Sequence, residues 1–131
     1  MAEISYIQAI TQAMEEEMQR DENVFIVGED VGAKGGVFRA TDGLYEKFGE
    51  NRVIDSPLAE SAIVGVSIGA AMYGMRPIAE IQFADFIFPA VNQIVSEAAK
   101  IRYRSNNDWN CPITIRAPYG GGISGALYHS Q

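Results

Sequence analysis

The stretch Arg52-Val-Ile-Asp55-Ser-Pro57-Leu-Ala-Glu60 runs directly into Ser61-Ala-Ile-Val-Gly65-Val-Ser-Ile-Gly69-Ala-Ala-Met-Tyr-Gly74-Met75, and its reading decides the fold. A strand-length apolar run ends in an aspartate, a proline marks a turn, and a long uncharged segment follows. That segment is too long for a strand. It falls short of the roughly 18 apolar residues a membrane span requires, and three glycines interrupt it. It therefore reads as a buried helix entered from a strand, with Glu60 at its start.

Working outward toward the N-terminus, Ser5-Tyr-Ile-Gln8 has the form of a capping box. Ile7, Ile10, Met14 and Met18 then recur at the spacing of one helix face. Val24-Phe-Ile-Val27 predicts a buried strand ending in Gly28-Glu29-Asp30. Residues 32–36 read as an irregular loop, and residues 42–49 as a short helix closed by glycine. Toward the C-terminus, Arg76-Pro77 starts a third strand, Ile78-Ala-Glu-Ile81, which leads into the turn Gln82-Phe-Ala-Asp85. Pro89 suits the first turn of a further helix, with Val91, Ile94, Val95, Ala98 and Ile101 as its apolar face. Ile113-Thr-Ile-Arg116 is the fourth strand. A glycine-rich loop follows it, with no recognisable helix beyond.

Helices alternating with apolar strands predict an α/β fold whose mostly parallel sheet is covered by helices on both faces. One domain accounts for residues 1–131, and a chain that stops after a loop reads as a fragment of a longer protein. Ligands gather beyond the carboxyl ends of such strands. That rule selects residues 28–30, 56–60, 82–86 and 118–129.

Composition narrows the function classes. The net charge of −7, from 17 acidic and 10 basic residues, argues against a nucleic-acid partner. The one basic run, Lys100-Ile-Arg102-Tyr-Arg104, suits a helix C-terminus, and Glu15-Glu16-Glu17 a solvated helix face. No segment predicts a membrane span. A single cysteine, Cys111, excludes an internal disulfide and a cysteine zinc cluster, and a reducing, cytoplasmic setting is expected.

Glu60 is the most informative candidate, because an acid before a charge-free helix is partly desolvated while the helix N-terminus favours its ionised form. A simple helix-start acid satisfies the same spacing. In Gln82-Phe-Ala-Asp85-Phe-Ile-Phe88-Pro89 the aromatic side chains can form a stacking platform for a flat ring, or fill the core. His129, the sole histidine, is suited to proton transfer near neutral pH, or to a structural place. Gly120, Gly122 and Gly125 match G-x-G-x-x-G. The expected helix and acidic ribose partner are missing, however, so the dinucleotide-binding oxidoreductase is the weaker reading.

Taken in order, Val27-Gly-Glu-Asp30, Gly35-Gly-Val-Phe-Arg39, Pro57-Leu-Ala-Glu60, Ala79-Glu-Ile-Gln-Phe-Ala-Asp85, Glu97-Ala-Ala-Lys100 and Gly125-Ala-Leu-Tyr-His-Ser-Gln131 resemble the β subunit of the thiamine-diphosphate-dependent 2-oxo acid dehydrogenases. The strings around Gln82 and His129 are more similar to the branched-chain enzyme than to the pyruvate enzyme. The resemblance implies a pyrimidine-binding domain that lacks the family's C-terminal domain. It implies a branched-chain 2-oxo acid as substrate, with pyruvate or acetoin as variants and a non-catalytic assembly domain as the alternative.

It further implies that Glu60 contacts the aminopyrimidine ring of thiamine diphosphate. Glu29, Leu58, Ala59, Gln82, Phe86, Ile87, Phe88 and Pro89 would border the cofactor. Phe83, Ala84, Asp85, Phe86 and His129 would border the substrate, with His129 moving a proton during lipoyl acylation. The G-D-G and distant Asn that hold the diphosphate through Mg2+ are absent from this sequence and belong in the family to the α subunit. The implied assembly is an α2β2 heterotetramer that docks on a lipoyl-bearing acyltransferase core. The resemblance also extends to a monovalent cation such as K+ near the fourth strand. Alone, the chain is expected to be inactive.

Overall fold

The structure, a computed structural model, describes residues 3–120, 122 and 124–130. Its strands β1 (Val24–Gly28), β2 (Val53–Asp55), β3 (Arg76–Glu80) and β4 (Thr114–Arg116) form one sheet in the order β2-β1-β3-β4, with every pair parallel. The helices are α1 (Tyr6–Arg20), α2 (Leu44–Phe48), α3 (Glu60–Met72), α4 (Ile101–Arg104) and α5 (Ala126–His129), with a 3-10 segment at Ala84–Ala90 and a π segment at Gln93–Ala98.

All of β1 is buried, as a central parallel strand covered on both faces must be. Alternation sends Val24 and Ile26 to a cluster with Met14 and Met18 of α1 and Leu44 of α2. Phe25 and Val27 point the other way, toward Ile63 of α3 and Ala79. The expected α/β sheet with helices on both faces is therefore what the chain forms. The capping box also stands: Ser5 Oγ accepts the Gln8 amide at 3.2 Å, and Gln8 Oε1 accepts the Ser5 amide at 2.8 Å.

Pro77 lies inside β3, although proline cannot donate to a ladder. Register explains why it is tolerated. The Arg76 amide donates to Asn23 on the β1 side and the Ile81 amide to Arg116 on the β4 side, so odd-numbered residues of β3 face β4. Pro77 precedes the first β3–β4 pair, Ile78 with Thr114, and its missing N–H has no partner to lose.

Two expectations are corrected. Residues 91–101 do not form one helix with one apolar face. The segment begins earlier, as a 3-10 turn holding Pro89, and then widens into a π turn in which the Ala99 amide bonds Ile94 O at 2.9 Å. The extra residue in that turn breaks the 3.6 period. Ile94 and Ala98 reach the cluster around Val64, Ile68 and Ile81, while Val91 and Val95 stay exposed. The second correction is α5, the short helix that follows the glycine loop, where the Tyr128 amide bonds Gly125 O at 2.9 Å.

Candidate active site

The four strand ends bring the selected segments together. Residues Asp55, Gly28, Glu80 and Arg116 pair in register across β2, β1, β3 and β4 as one rung. The loop leaving β1 starts immediately beyond it. Glu29 is buried there, Asp30 takes a positive φ of 59°, and the chain turns back so that the Gly36 amide bonds Asp30 O at 2.8 Å. The Asp30 carboxylate ties this loop to its surroundings. Its Oδ1 accepts from Lys34 Nζ at 2.8 Å, and its Oδ2 from Gln82 Nε2, beyond β3, at 3.1 Å.

Glu60 opens α3, at the positive end of a 13-residue helix. It and Glu29 are each only 7% exposed. An acid this buried ordinarily finds partners for its oxygens. Glu29 Oε1 has none. Burial pushes the Glu29 carboxyl above the usual carboxylate range, and the charges of Glu60 and then Asp30 push it further the same way. The site thus contains two neighbouring acids and an acceptor oxygen with no donor.

Beside them is an aromatic cluster. The His129 ring lies over Phe83, with centroids 3.9 Å apart, and faces Phe86 edge-on at 6.0 Å. Phe83 makes edge contacts with Phe86 at 5.7 Å and with Phe38 at 5.6 Å. His129 Nδ1 is 2.7 Å from the buried Ser130 Oγ, which fixes how the ring turns. A β-carbon at Gly125 would lie 2.6 Å from His129 Nε2, so the glycine gives that nitrogen its room.

The remaining predicted residues are distributed unevenly. Ala84 and Asp85 are half-buried at the start of the 3-10 segment, and Ala59 is the residue that caps α3. Leu58 and Phe88 are strongly exposed, and Pro89 is exposed with them. Ile87 packs on the Val64 cluster, as does part of Phe86. Gln131 of the motif ending at residue 131 lies outside the described residues. A cleft of about 620 Å3 opens to one side, between Tyr6, Ile7 and Ile10 of α1, Phe38, and residues 116–120 with Gly122. It shares Phe38 with the aromatic cluster, but neither buried acid lines it.

The sequence gives no sign that Glu80 and Arg116 meet. Glu80, 2% exposed, forms an ion pair with Arg116 on the next strand. The signal for Glu80 alone was a charged residue inside an apolar strand, Ile78-Ala-Glu-Ile81. Cys111 has its thiol pushed up by burial, the opposite of what an activated nucleophile requires. Among the described residues no group of three His, Cys, Asp or Glu side chains is placed to hold a metal ion, and no helix is long and apolar enough to cross a membrane.

A four-stranded parallel sheet covered by helices, with buried acids and aromatics at its carboxyl edge, makes this an α/β domain with a candidate site at the strand ends. The chain belongs to the transketolase pyrimidine-binding domain family, whose model matches residues 2–131. It is 78% identical, over its whole length, to the 2-oxoisovalerate dehydrogenase subunit beta of Bacillus subtilis, of which it covers 40%. The subunit of that name from Pseudomonas aeruginosa is 51% identical over 98% of the chain and 37% of the relative. The pyruvate dehydrogenase E1 component subunit beta of Bacillus subtilis is 49% identical over the whole chain and 40% of the relative. The chain thus spans about 40% of the length of the relative most like it among these.

Proposed function

We propose that this chain is the pyrimidine-binding part of the β subunit of a branched-chain 2-oxo acid dehydrogenase. In this reading it assembles with an α subunit in the cytoplasm, takes thiamine diphosphate into a shared cleft and acts within a complex whose core carries lipoyl groups. The α subunit would hold Mg2+. The carrying observation is Glu60, buried at the N-terminus of α3 beside Glu29 with its partnerless oxygen. The 78% identity to the Bacillus subtilis 2-oxoisovalerate subunit, against 49% to the pyruvate subunit of the same organism, favours the branched-chain substrate.

The residues fit an aminopyrimidine. Such a ring carries N–H donors and a flat apolar face, and the site holds the complements of both. Glu29 Oε1 needs a donor, Glu60 needs a counterpart to its charge, and the aromatic cluster begins at Phe83 and Phe86. Glu60 would hold the ring through a nitrogen, with Gln82 alongside. Leu58, Ala59 and residues 86–89 would border the ring, the exposed Leu58 and Phe88 meeting it from the partner-facing side. When bound, the cofactor supplies the electron sink that 2-oxo acid decarboxylation requires. This chain's part is to bind and orient the ring, to exclude water, and to accept the ring's N–H hydrogen bond at the Glu60 carboxylate. His129, stacked on Phe83 with its Nδ1 engaged, would offer Nε2 for proton transfer beside the substrate, bordered by residues 83–86.

The test is Glu60→Gln in the assembled enzyme. Exchange of the cofactor's C2 proton should slow by about 100-fold to 10,000-fold, the usual scale for a lost acid–base group, with circular dichroism unchanged. Near-normal exchange in a folded variant rejects the assignment. Turnover on 2-oxoisovalerate should exceed that on pyruvate, and the reverse order would move the reading to the pyruvate enzyme.

A further inference from the structure

Glu29 and Asp30 sit on the loop leaving β1, and a loop must be held from somewhere. We propose that the Glu80–Arg116 ion pair is the positioning device for that loop, fixing Glu29 at the height from which it meets the bound ring. The inference rests on the functional reading above. It assigns to Glu80 and Arg116 a task beyond that reading, carried out through Glu29 and not by touching the cofactor.

The geometry is that of two props on either side of one span. On the β2 flank, Asp55 Oδ1 accepts the Gly32 amide at 2.7 Å. On the β4 flank, Glu80 reaches under the loop. A β-carbon at Gly36 would lie 3.4 Å from Glu80 Oε1, and one at Gly28 would lie 2.8 Å from Glu80 O. Gly28 belongs to β1 and lets that strand lie close against β3, while Gly36, at φ 78°, brings the loop within van der Waals reach of Glu80 Oε1. Gly36 is also where the loop closes, through its amide to Asp30 O, the residue after Glu29. Glu80 Oε2 meanwhile receives Arg116 Nη1. The carboxylate thus has one oxygen beside the Gly36 turn of the loop and one bonded to the arginine.

Two observations show that the pair acts as a unit. Burial pushes the Glu80 carboxyl above the usual carboxylate range and the Arg116 guanidinium pulls it part of the way back, so the two buried side chains depend on each other. Arg116 is itself well covered, at 17% side-chain exposure, and extends from β4, whose end bonds back to β3 through the Ile81 amide. The loop thereby inherits its place from the sheet.

The experiment uses the complete β subunit assembled with its α partner. Three variants are compared: Glu80→Gln, the double Glu80→Gln/Arg116→Gln that keeps a neutral hydrogen-bonded pair, and Glu15→Gln as a control that breaks an exposed ion pair with Lys47. For Glu80→Gln the proposal expects faster hydrogen exchange at Gly32 and Gly36 with the β1 amides unchanged. Thiamine diphosphate affinity and kcat should fall about tenfold to a hundredfold, the scale of an ångström-sized misplacement, at constant KM for 2-oxoisovalerate. The double variant should regain part of kcat despite its lower melting temperature, and the control should match wild type. Unchanged loop exchange in Glu80→Gln overturns the proposal, as does a kcat that follows melting temperature across all the variants. Failure of the functional reading appears separately, as a wild-type enzyme that does not bind thiamine diphosphate. The exchange result is read independently of that outcome.

Discussion

Two buried glutamates stand at the same edge of the sheet and differ in what surrounds them. Glu80, in β3, has Arg116 on its other oxygen and sits within a rung of paired backbone. Glu29, just past β1, is also buried, faces Glu60 and Asp30, and has an oxygen with no donor. A folded chain rarely keeps such an oxygen unless something else supplies the donor. Burial therefore does not distinguish the two acids. The missing partner does, and in the proposed function the bound ring supplies it.

The comparison can be broken most forcefully at its satisfied end. Arg116→Met leaves Glu80 buried without a counter-charge and should cost about 3–5 kcal/mol of stability, measured by denaturant unfolding. A loss below 1 kcal/mol would mean that Glu80 reaches solvent and the two acids are alike. Gly28→Ala tests the close approach between the regions. Its new β-carbon would meet backbone Glu80 O at 2.8 Å and Glu80 Cβ at 2.9 Å, neither of which can swing away. Overpacking of that kind costs about 1–3 kcal/mol, and an unchanged melting temperature would contradict the packing described.

The smallest effect lies at the unsatisfied end. Unfolded, Glu29 titrates near its ordinary value of 4.5, whereas folded it titrates higher. As pH rises through that window, the unfolded chain has released a proton that the folded one retains, so stability falls and then levels off above the folded value. Glu29→Gln should remove part of this slope. It should leave the Glu80 contribution, which has the same sign, and make the variant the more stable protein above the window. Parallel stability–pH curves for variant and wild type would show that Glu29 is not held in its repulsive setting.

How much of this was legible in the sequence follows from how far each interaction reaches along the chain. Local patterns were readable. The apolar run of β1, the Ser5–Gln8 box and the charge-free α3 each carry their signal within a few residues, and their observed bounds lie close to those expected. Glu60 was legible for the same reason, since its position before α3 is a local fact. Three features were not. Residues 91–101 kept an α-helical spacing of apolar side chains although the backbone widens at Gln93–Ala98. The four residues of α5 are too few to show any period. The Glu80–Arg116 pair joins positions 36 apart, and no spacing rule connects residues that meet only because two strands align.

The π segment has a consequence for how the chain tolerates change. One surplus residue in a turn rotates everything after it by about 100° around the helix axis. Lys100, Arg102 and Arg104 therefore owe their bearing to Gln93–Ala98 and not to the sheet. A single-codon deletion there would swing the basic run to a new compass point and, because Ile94 and Ala98 pack with Ile81 and Ala117, would press on the strand ends as well. The surplus residue thus couples the bearing of that cationic flank to the packing behind the strand ends.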